Sequence, residues 1–436
     1  MTKEMLKKIK TVLFQPVFKR NNKIELVSLI LLIGFVAAVF FHYILGAYFN
    51  LGHPYNSFLF TPADKFNDFF NSIRMWYQYL VLEPNPYTCY FPLTYGFINI
   101  FRFIKPDILS LSIFLSLFVL FFVWYAWQNL KLENKIAKIK NVFIYSFLSF
   151  PVLFAIDRAN FENFVFIFMA LFIFFYVKKN YFISTIFLAL AIAMKLFPAV
   201  FLILFFTDKK YKEIIYTLII TILSTVVTLI FFQGSIMENI LRMIQNQGLN
   251  AQMYAIGHAG LNYGHSLFGF FKVLIAFFIK KADFVYYLQL YVPFILILFT
   301  CLILYIIFVE KQFWKKVAIL VFAMCFFTPY AGDYKLMHLF IPLYLFINDD
   351  SPDKYNVIYT ILFALLLIPK NYLSLVGIDY IYGGVLLDPL LMLIFLALIL
   401  YNGFKQQTLK VLLANSKIIF FDQVQALKTM FKLRKL

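Results

Sequence analysis

The sequence predicts an all-α polytopic membrane protein. Of its 436 residues, 63% are hydrophobic and only 14% are charged, and the mean hydropathy is +0.83. Soluble domains contain about one half apolar residues, so this composition excludes an ordinary soluble fold. The apolar residues form long continuous runs instead of alternating with polar ones, which predicts helical spans.

The apolar runs predict about twelve spans with a basic segment at each end. The first run follows a basic segment, residues 1–25, and is too long for a cleaved signal peptide, so we expect it to remain as a span. The transmembrane domain covers residues 26–403, and the basic amphipathic tail, 404–436, is expected to bind anionic lipid at the inner surface. The predicted spans are 26–47, 108–129, 141–156, 160–177, 181–194, 196–206, 213–232, 285–309, 317–329, 335–347, 356–373 and 384–403.

The charges orient these spans with the amino terminus inside. Almost the whole formal net charge of +18 falls on the segments that this topology places in the cytoplasm, as the positive-inside rule requires. A basic balance of this kind indicates orientation and attraction to anionic lipid, so we expect no nucleic-acid partner. The same topology places all five histidines at the outer side, namely His42, His53, His258, His265 and His338.

The first long external segment, residues 48–107, contains the stretch "TPADKFNDFFNSIRMWYQYLVL". It predicts a helix along the outer membrane surface, because Thr61 is a suitable cap, Pro62 suits the first position and apolar residues recur at helical spacing. Asp64 and Asp68 are four residues apart and are expected to share one face. The helix dipole accounts for an acid in the first turn, such as Asp64, but not for Asp68, which we therefore favour as the functional residue.

The second long external segment, residues 233–283, is rich in Asn, Gln, Gly, Tyr and His. Such side chains hydrogen-bond to and stack on polyhydroxylated ligands such as sugars. Ordinary loop composition explains the same residues equally well, so both interpretations stay open.

Charged residues also lie at the predicted outer ends of spans. Lys195 lies between apolar residues in "AIAMKLFPAVF", where Pro198 breaks the helix. A buried cation there needs an anionic partner, although a lysine can also snorkel to the headgroups. Asp333 and Lys335 lie in a similar position, in "TPYAGDYKLMH".

The stretch "FAIDRANFENFVF" places Arg158 between two apolar runs. Two interpretations are open for this cation. It can face an anionic ligand at the membrane surface, or it can form an internal salt bridge with Asp157 or Glu162.

An ordered set of motifs after residue 60 resembles the GT-C glycosyltransferases, most closely family 87, whose members use polyprenol-phosphate-mannose. The motifs are "NDFFNSI", "NPYTCYFPLTYGF", "DRANFENFVF", "AIAMKLFPAVF", "HSLFGFF" and "FFTPYAGDYKLMH". The chain departs from the family pattern in that Ala159 replaces the usual Gly, Pro92 stands alone in place of a double proline, His265 replaces Gln and Thr328 replaces Ser.

This resemblance implies a GT-C-like fold with external interfacial helices in the first long loop. It also implies an inverting transfer of mannose or a related hexose or pentose. The donor is expected to be a polyprenyl-phosphate sugar and the acceptor a glycan or glycolipid, at the outer face of a bacterial inner membrane. The catalytic base is expected to be Asp68, with Asp64 as second candidate.

The remaining roles follow from the same resemblance. Lys195 and Arg158 are expected to bind the donor phosphate, whose charge needs stabilisation as it leaves. His265 and Asn246 are expected to contact substrate hydroxyl groups, and Asp333 and Lys335 to line the substrate site. We expect no cofactor and no metal, because the three scattered cysteines and the acids form no metal pattern.

Two other classes remain possible from the sequence. A lipid-linked-sugar flippase or transporter also has charges between spans, but it requires a polar path to both faces and often has two related halves. We find no internal repeat, and the unusual polar residues gather at one face. A surface-polysaccharide polymerase or ligase, which uses a polyprenyl-diphosphate substrate, is not excluded by composition.

Overall fold

A computed structural model gives the fold for most of the chain. It describes residues 18–52, 59, 62–75, 84–85, 87, 89–257, 261, 264–279, 282–372, 374–375, 381–405, 421–425 and 428. These residues are mostly helical, which confirms the all-α class. A two-residue antiparallel pair joins β1 (Ser374–Leu375) to β2 (Ile381–Tyr382).

Seventeen α-helices form this part of the fold. In chain order they are α1 (Arg20–Tyr43), α2 (Asn67–Arg74), α3 (Pro92–Phe103), α4 (Asp107–Asn129), α5 (Lys135–Phe147), α6 (Phe150–Arg158), α7 (Glu162–Val177), α8 (Tyr181–Met194), α9 (Leu202–Thr207), α10 (Tyr211–Leu229), α11 (Ile236–Asn250), α12 (Leu267–Phe278), α13 (Phe284–Phe308), α14 (Phe313–Phe326), α15 (Phe340–Ile347), α16 (Asn356–Leu367) and α17 (Gly383–Lys405). Short 3₁₀ segments lie at Pro62–Asp64, Phe197–Phe201 and Asp333–Leu339, and π-helical segments at Ile44–Tyr48 and Ala251–Ile256.

Five helices in the described ranges are long and apolar enough to cross a membrane. They are α1 with its π-helical extension, α4, α10, α13 and α17. Helices α5 and α6 are bent by 52° relative to each other and make a sixth span if the pair is one broken span. The other predicted spans correspond to shorter helices, so the count of twelve stays a prediction.

Several predicted spans differ from the helices in their bounds. The predicted span 141–156 is broken between α5 and α6, where Pro151 occupies the first turn of α6. The predicted span 196–206 begins as the 3₁₀ segment Phe197–Phe201, with Pro198 in its first turn, and continues as α9. Proline fits the first turn of a helix but not its interior, which explains these breaks. The predicted span 335–347 begins as a 3₁₀ segment, and the predicted span 317–329 is shifted to α14.

The predicted surface helix of the first long external segment is also broken. Its 3₁₀ turn Pro62–Asp64 is separated from α2 by Phe66, which has a left-handed backbone with φ of 56°. A residue with this backbone conformation cannot continue a right-handed helix. Thr61, the expected cap, lies outside the described residues, as do His53 and His258.

An aromatic cluster fixes α2 against the rest of the fold. Phe69 is fully buried and packs on Phe114 of α4 and on Phe161, with ring centroids 5.0 Å and 6.2 Å away. Phe114 and Phe161 also contact each other at 5.1 Å. Buried aromatic side chains dominate packing energies, so this cluster holds the residue beside Phe69, which is Asp68, at a defined position.

Polar contacts attach segments near both termini of the chain to the ends of helices. Lys23 of α1 donates to the carbonyl oxygens of Phe346 and Asp349 at 2.9 Å and 2.7 Å. Near the carboxyl terminus, Gln423 donates from Nε2 to the carbonyl oxygen of Phe206 at 3.1 Å. The predicted topology places all these segments on the cytoplasmic side. We call this the tail end of the fold.

We expect the buried ion pair at the tail end to contribute strongly to stability. Lys315 Nζ lies 2.7 Å from Asp353 Oδ2, both side chains are 2% exposed, and Asn402 donates to the same oxygen at 2.6 Å. Lys315→Met leaves a buried carboxylate without its cation, and we expect the free energy of unfolding to fall by about 3–5 kcal/mol. The unfolding midpoint of the purified protein in detergent measures this.

A matched control is Lys209→Met, which removes a lysine at the same end. Its pair with Asp422 is about half exposed, so a loss of at most about 1 kcal/mol is expected. Equal losses in the two variants would contradict the assignment of Lys315 as a buried partner.

Candidate active site

A cavity of about 1090 Å³ lies beside the turn before α7, whereas the last turn of α7, at Tyr176, contacts Leu204 and Asp208 near the tail end. Its wall combines α2, the segment before α3, the turn between α6 and α7, part of α11 and the segment 328–335. A cavity of this size accommodates a ligand the size of a drug or an oligosaccharide unit. Six of the eight predicted site residues line it, namely Asp64, Asp68, Arg158, Lys195, Asp333 and Lys335.

The tight turn between α6 and α7 brings three polar side chains together. α6 ends at Ala159, whose left-handed backbone has φ of 49° and ψ of 44°. Glycine favours this conformation, which accounts for the glycine that the family pattern has at this position. The side chain of Asn160 then accepts a hydrogen bond from the backbone N–H of Glu162 at 2.9 Å, at the start of α7. Arg158, Asn160 and Glu162 therefore lie side by side.

Asp68 receives two side-chain hydrogen bonds from this turn. Arg158 forms an ion pair with Asp68 through Nη2 and Oδ1. Asn160 Nδ2 donates to the other oxygen, Oδ2, at 2.8 Å. The backbone N–H of Phe66 also donates to the carbonyl oxygen of Asp157 at 2.7 Å, which attaches the start of α2 to α6. The carboxylate of Asp68 is thus oriented at the cavity wall.

The structure corrects the predicted relation between Asp64 and Asp68. The two do not share one helical face, because Asp64 lies in the 3₁₀ turn and Asp68 in the first turn of α2. The argument that Asp68 lies beyond a first turn is therefore wrong. Asp64 Oδ1 accepts from Asn67 Nδ2 at 2.9 Å, and its carbonyl oxygen accepts from Arg158 Nη1 at 3.1 Å. Both acids still face the same cavity.

Lys195 has an anionic partner, as its position between apolar residues requires. Its Nζ lies 2.6 Å from Glu162 Oε2, and its side chain is only 13% exposed. The other oxygen of Glu162 lies 2.7 Å from Nε2 of the buried His338. Snorkelling of Lys195 and a bridge between Arg158 and Glu162 are therefore both wrong as descriptions of this structure.

Asn160 connects the two ion pairs. Its Nδ2 donates to Asp68, and its Oδ1 lies 3.5 Å from Lys195 Nζ. Sequence reasoning missed Asn160 and His338 as site residues, because neither forms a charged motif of its own. The available signal for Asn160 was a polar residue two positions after Arg158, between two apolar runs.

The structure places His265 behind the cavity wall and fully buried. Its Nδ1 lies 3.4 Å from Asp333 Oδ1, and Asn371 donates to Asp333 Oδ2 at 3.3 Å. Burial lowers the pKa of His265 below its ordinary value, against the opposing effect of Asp333, so the ring is neutral at neutral pH. His265 therefore supports Asp333, which is on the wall.

Asn246 of α11 is also buried, and its Oδ1 accepts from the backbone N–H of Asn85 at 3.0 Å. The next residue, Gln247, lines the cavity. Further polar and aromatic residues of the wall that sequence reasoning did not single out are Asn250, Tyr254, Tyr90, Tyr330 and Tyr334. Tyr254 and Tyr330 stack with ring centroids 4.8 Å apart.

Within the described ranges, no group of three or more His, Cys, Asp and Glu side chains is placed to hold a metal ion. The cysteines Cys89, Cys301 and Cys325 are free thiols.

A double-mutant cycle tests the observed pairing. Arg158→Gln and Asp68→Asn should show a coupling energy of about 0.5–3 kcal/mol in the free energy of unfolding, because the residues are in direct contact. As a control, Arg158→Gln should be additive with Glu238→Gln, since Glu238 instead caps α11 through Ser235. Additive effects of the Arg158 and Asp68 substitutions would contradict the pairing.

The family comparison agrees with the motifs in the sequence. The family model of glycosyltransferase family 87 matches residues 87–329, more than half of the chain. The match includes Arg158, Asn160, Glu162 and Lys195, whereas Asp68 lies before it. No curated protein and no solved structure matches the chain. With its apolar helices and this match, the chain belongs to glycosyltransferase family 87 and is a membrane glycosyltransferase.

Proposed function

We propose that the protein transfers a sugar, mannose or a related hexose or pentose, from a polyprenyl-phosphate donor to a hydroxyl group of a glycan or glycolipid. The reaction inverts the anomeric centre. The observation that carries this proposal is that one cavity wall presents an oriented carboxylate, Asp68, beside the cations Arg158 and Lys195.

These groups fit the charge changes of the reaction. The acceptor oxygen attacks the anomeric carbon from the face opposite the donor phosphate, and the bond from that carbon to the phosphate oxygen breaks. The acceptor proton moves to Asp68, and the phosphate leaves as a monoester with the bonding electron pair. Its additional negative charge is stabilised by cations of the cavity wall, for which Arg158 and Lys195 are the sequence-based candidates.

The remaining wall suits a sugar. Gln247 and Asn250 offer amide groups that both donate and accept hydrogen bonds, as hydroxyl groups require. The rings of Tyr254 and Tyr330 offer apolar faces with polar edges. Asp333, supported by His265, offers a further acceptor on the same wall.

Helix α11 supports access for a lipid-linked donor. One side of it exposes apolar residues, namely Ile236, Met237, Ile240, Leu241 and Ile244. Its last turns carry Gln247 and Asn250, which line the cavity. A helix with an exposed apolar side fits a position in the membrane interface. The donor chain would then lie in the membrane while its phosphate and sugar enter the cavity.

The proposal includes the outer face of a bacterial inner membrane as the place of reaction. The support is the distribution of Lys and Arg, which favours an orientation with the tail end inside and the cavity outside. No metal or cofactor is assigned a role.

Asp68→Asn should reduce the rate of sugar transfer by about 10²–10⁴-fold, because an amide cannot accept the acceptor proton. Affinity for the donor should change little, since the carboxylate acts on the acceptor. Steady-state rates with a polyprenyl-phosphate sugar, together with a donor-binding measurement, check this.

Asp64→Asn is the matched comparison, since it removes the second carboxylate of the same wall. It should lose less activity than Asp68→Asn. Full activity of Asp68→Asn would show that Asp68 is not the base. If Asp64→Asn were inactive in the same assay, the role of base would pass to Asp64. The unfolding midpoints of both variants show whether lost activity reflects lost structure.

A donor panel separates this function from the polymerase or ligase alternative. The purified protein should consume a polyprenyl-monophosphate sugar and leave polyprenyl-diphosphate glycans and nucleotide sugars intact. Product analysis by mass spectrometry identifies the sugar moved. Consumption of diphosphate-linked glycans alone would replace the proposed function by the alternative.

A further inference from the structure

Among the described residues, three cations line the cavity, and two of them have a carboxylate partner. Arg158 pairs with Asp68, and Lys195 pairs with Glu162. The third is Lys335. Within the part of the chain that the structure describes, no carboxylate oxygen lies within 4.0 Å of Lys335 Nζ, and no group accepts a hydrogen bond from it.

Lys335 is nevertheless largely buried. Its side chain is only 7% exposed, and Nζ lies 4.1 Å from the ring centroid of Phe197. A cation over an aromatic ring recovers part of its lost hydration energy, but much less than a hydrogen-bonded anion does. A buried ammonium group on a cavity wall is therefore ready to bind an anion.

The neighbouring acids are already engaged. Glu162 is the acid with which Lys335 interacts electrostatically, yet its two oxygens are bound by Lys195 and His338. Both oxygens of Asp333, two residues away in sequence, face His265 and Asn371. Each oxygen of the two carboxylates therefore already has a partner other than Lys335.

Lys335 and Lys195 share one region of the wall. The ring of Phe197 lies 4.1 Å from the Nζ of Lys335 and 6.0 Å from the Nζ of Lys195. Glu162 interacts electrostatically with both lysines, but it forms its ion pair with Lys195. A phosphodiester group carries one negative charge and would give Lys335 a direct anionic partner.

We propose that Lys335, together with Lys195, binds the phosphate of the lipid-linked donor, and that Arg158 is a positioning residue for Asp68. This inference rests on the proposed function, because that function names the lipid phosphate. Arg158 keeps its ion pair with the base, and the phosphate binds beside Phe197. As the carbon–oxygen bond of the donor breaks, the negative charge that the phosphate gains develops next to two ammonium groups.

Binding of polyprenyl phosphate without a sugar tests the inference separately from transfer. Lys335→Gln should weaken binding of polyprenyl phosphate by about tenfold to a hundredfold, as expected for loss of a charge-assisted hydrogen bond. Lys335→Arg should restore most of the affinity. Neutral polyprenol should bind equally to the wild type and to both variants. Inorganic phosphate should compete in the wild type and not in Lys335→Gln.

Two further variants complete the comparison. Arg158→Gln should bind polyprenyl phosphate like the wild type while its transfer rate falls. Lys105→Gln, which removes an exposed lysine paired with Asp107, should change neither quantity. Wild-type affinity in Lys335→Gln, or an equal loss of affinity in Arg158→Gln, would overturn the inference. A protein that binds polyprenyl phosphate through Lys335 but transfers no sugar contradicts the proposed function alone.

A measurement on the wild type avoids the risk that a variant fails to fold. Polyprenyl phosphate should protect Lys335 from an amine-reactive reagent, as quantified by mass spectrometry of the modified peptides, and polyprenol should not. Equal modification of Lys335 with and without polyprenyl phosphate would contradict the inference.

Discussion

The side chain of Asn160 joins two ion pairs that bury their charges between short apolar helices, and the geometry of the cavity depends on this connection. The two pairs, Asp68 with Arg158 and Glu162 with Lys195, join three separate places in the chain, because Arg158 and Glu162 belong to the same turn. Each charge would be costly to bury alone, so each pair fixes the elements that carry it. Asn160 bonds Asp68 and lies within reach of Lys195, so neither pair shifts independently.

Apolar packing supplies the rigid frame for these polar contacts. Phe69 is inserted among the rings of Phe114 and Phe161, while its neighbour Asp68 faces the cavity. Phe161 lies between Asn160 and Glu162 in the same tight turn. The aromatic and polar contacts therefore alternate along the same few residues. A substitution in the aromatic cluster would therefore displace the carboxylate of Asp68, although the substituted ring itself does not line the cavity.

The sequence was sufficient for the fold class and for most of the wall, because both depend on local composition. Long apolar runs predicted helices, and charges between those runs predicted Arg158, Lys195, Asp333 and Lys335 on the cavity wall. Partners could not be predicted, since Asp68 and Arg158 meet only through the fold. The prediction that Asp64 and Asp68 share one helical face was wrong because Phe66, which lies between them, has a left-handed backbone that interrupts the helix. The helix break at Pro198 was visible in the sequence, whereas the break before Pro151 and the lengths of the resulting pieces were not predicted.

Helix α11 borders two environments at once, with apolar residues such as Leu241 on its exposed side and Gln247 on the cavity. Under the proposed function this helix lies in the membrane interface, so a donor that enters past it comes from within the bilayer and not from the aqueous phase. Its effective concentration is then a mole fraction among membrane lipids, set by lateral diffusion in two dimensions. Saturation of the enzyme would therefore follow the surface density of the ligand and would be insensitive to dilution of the membranes in buffer.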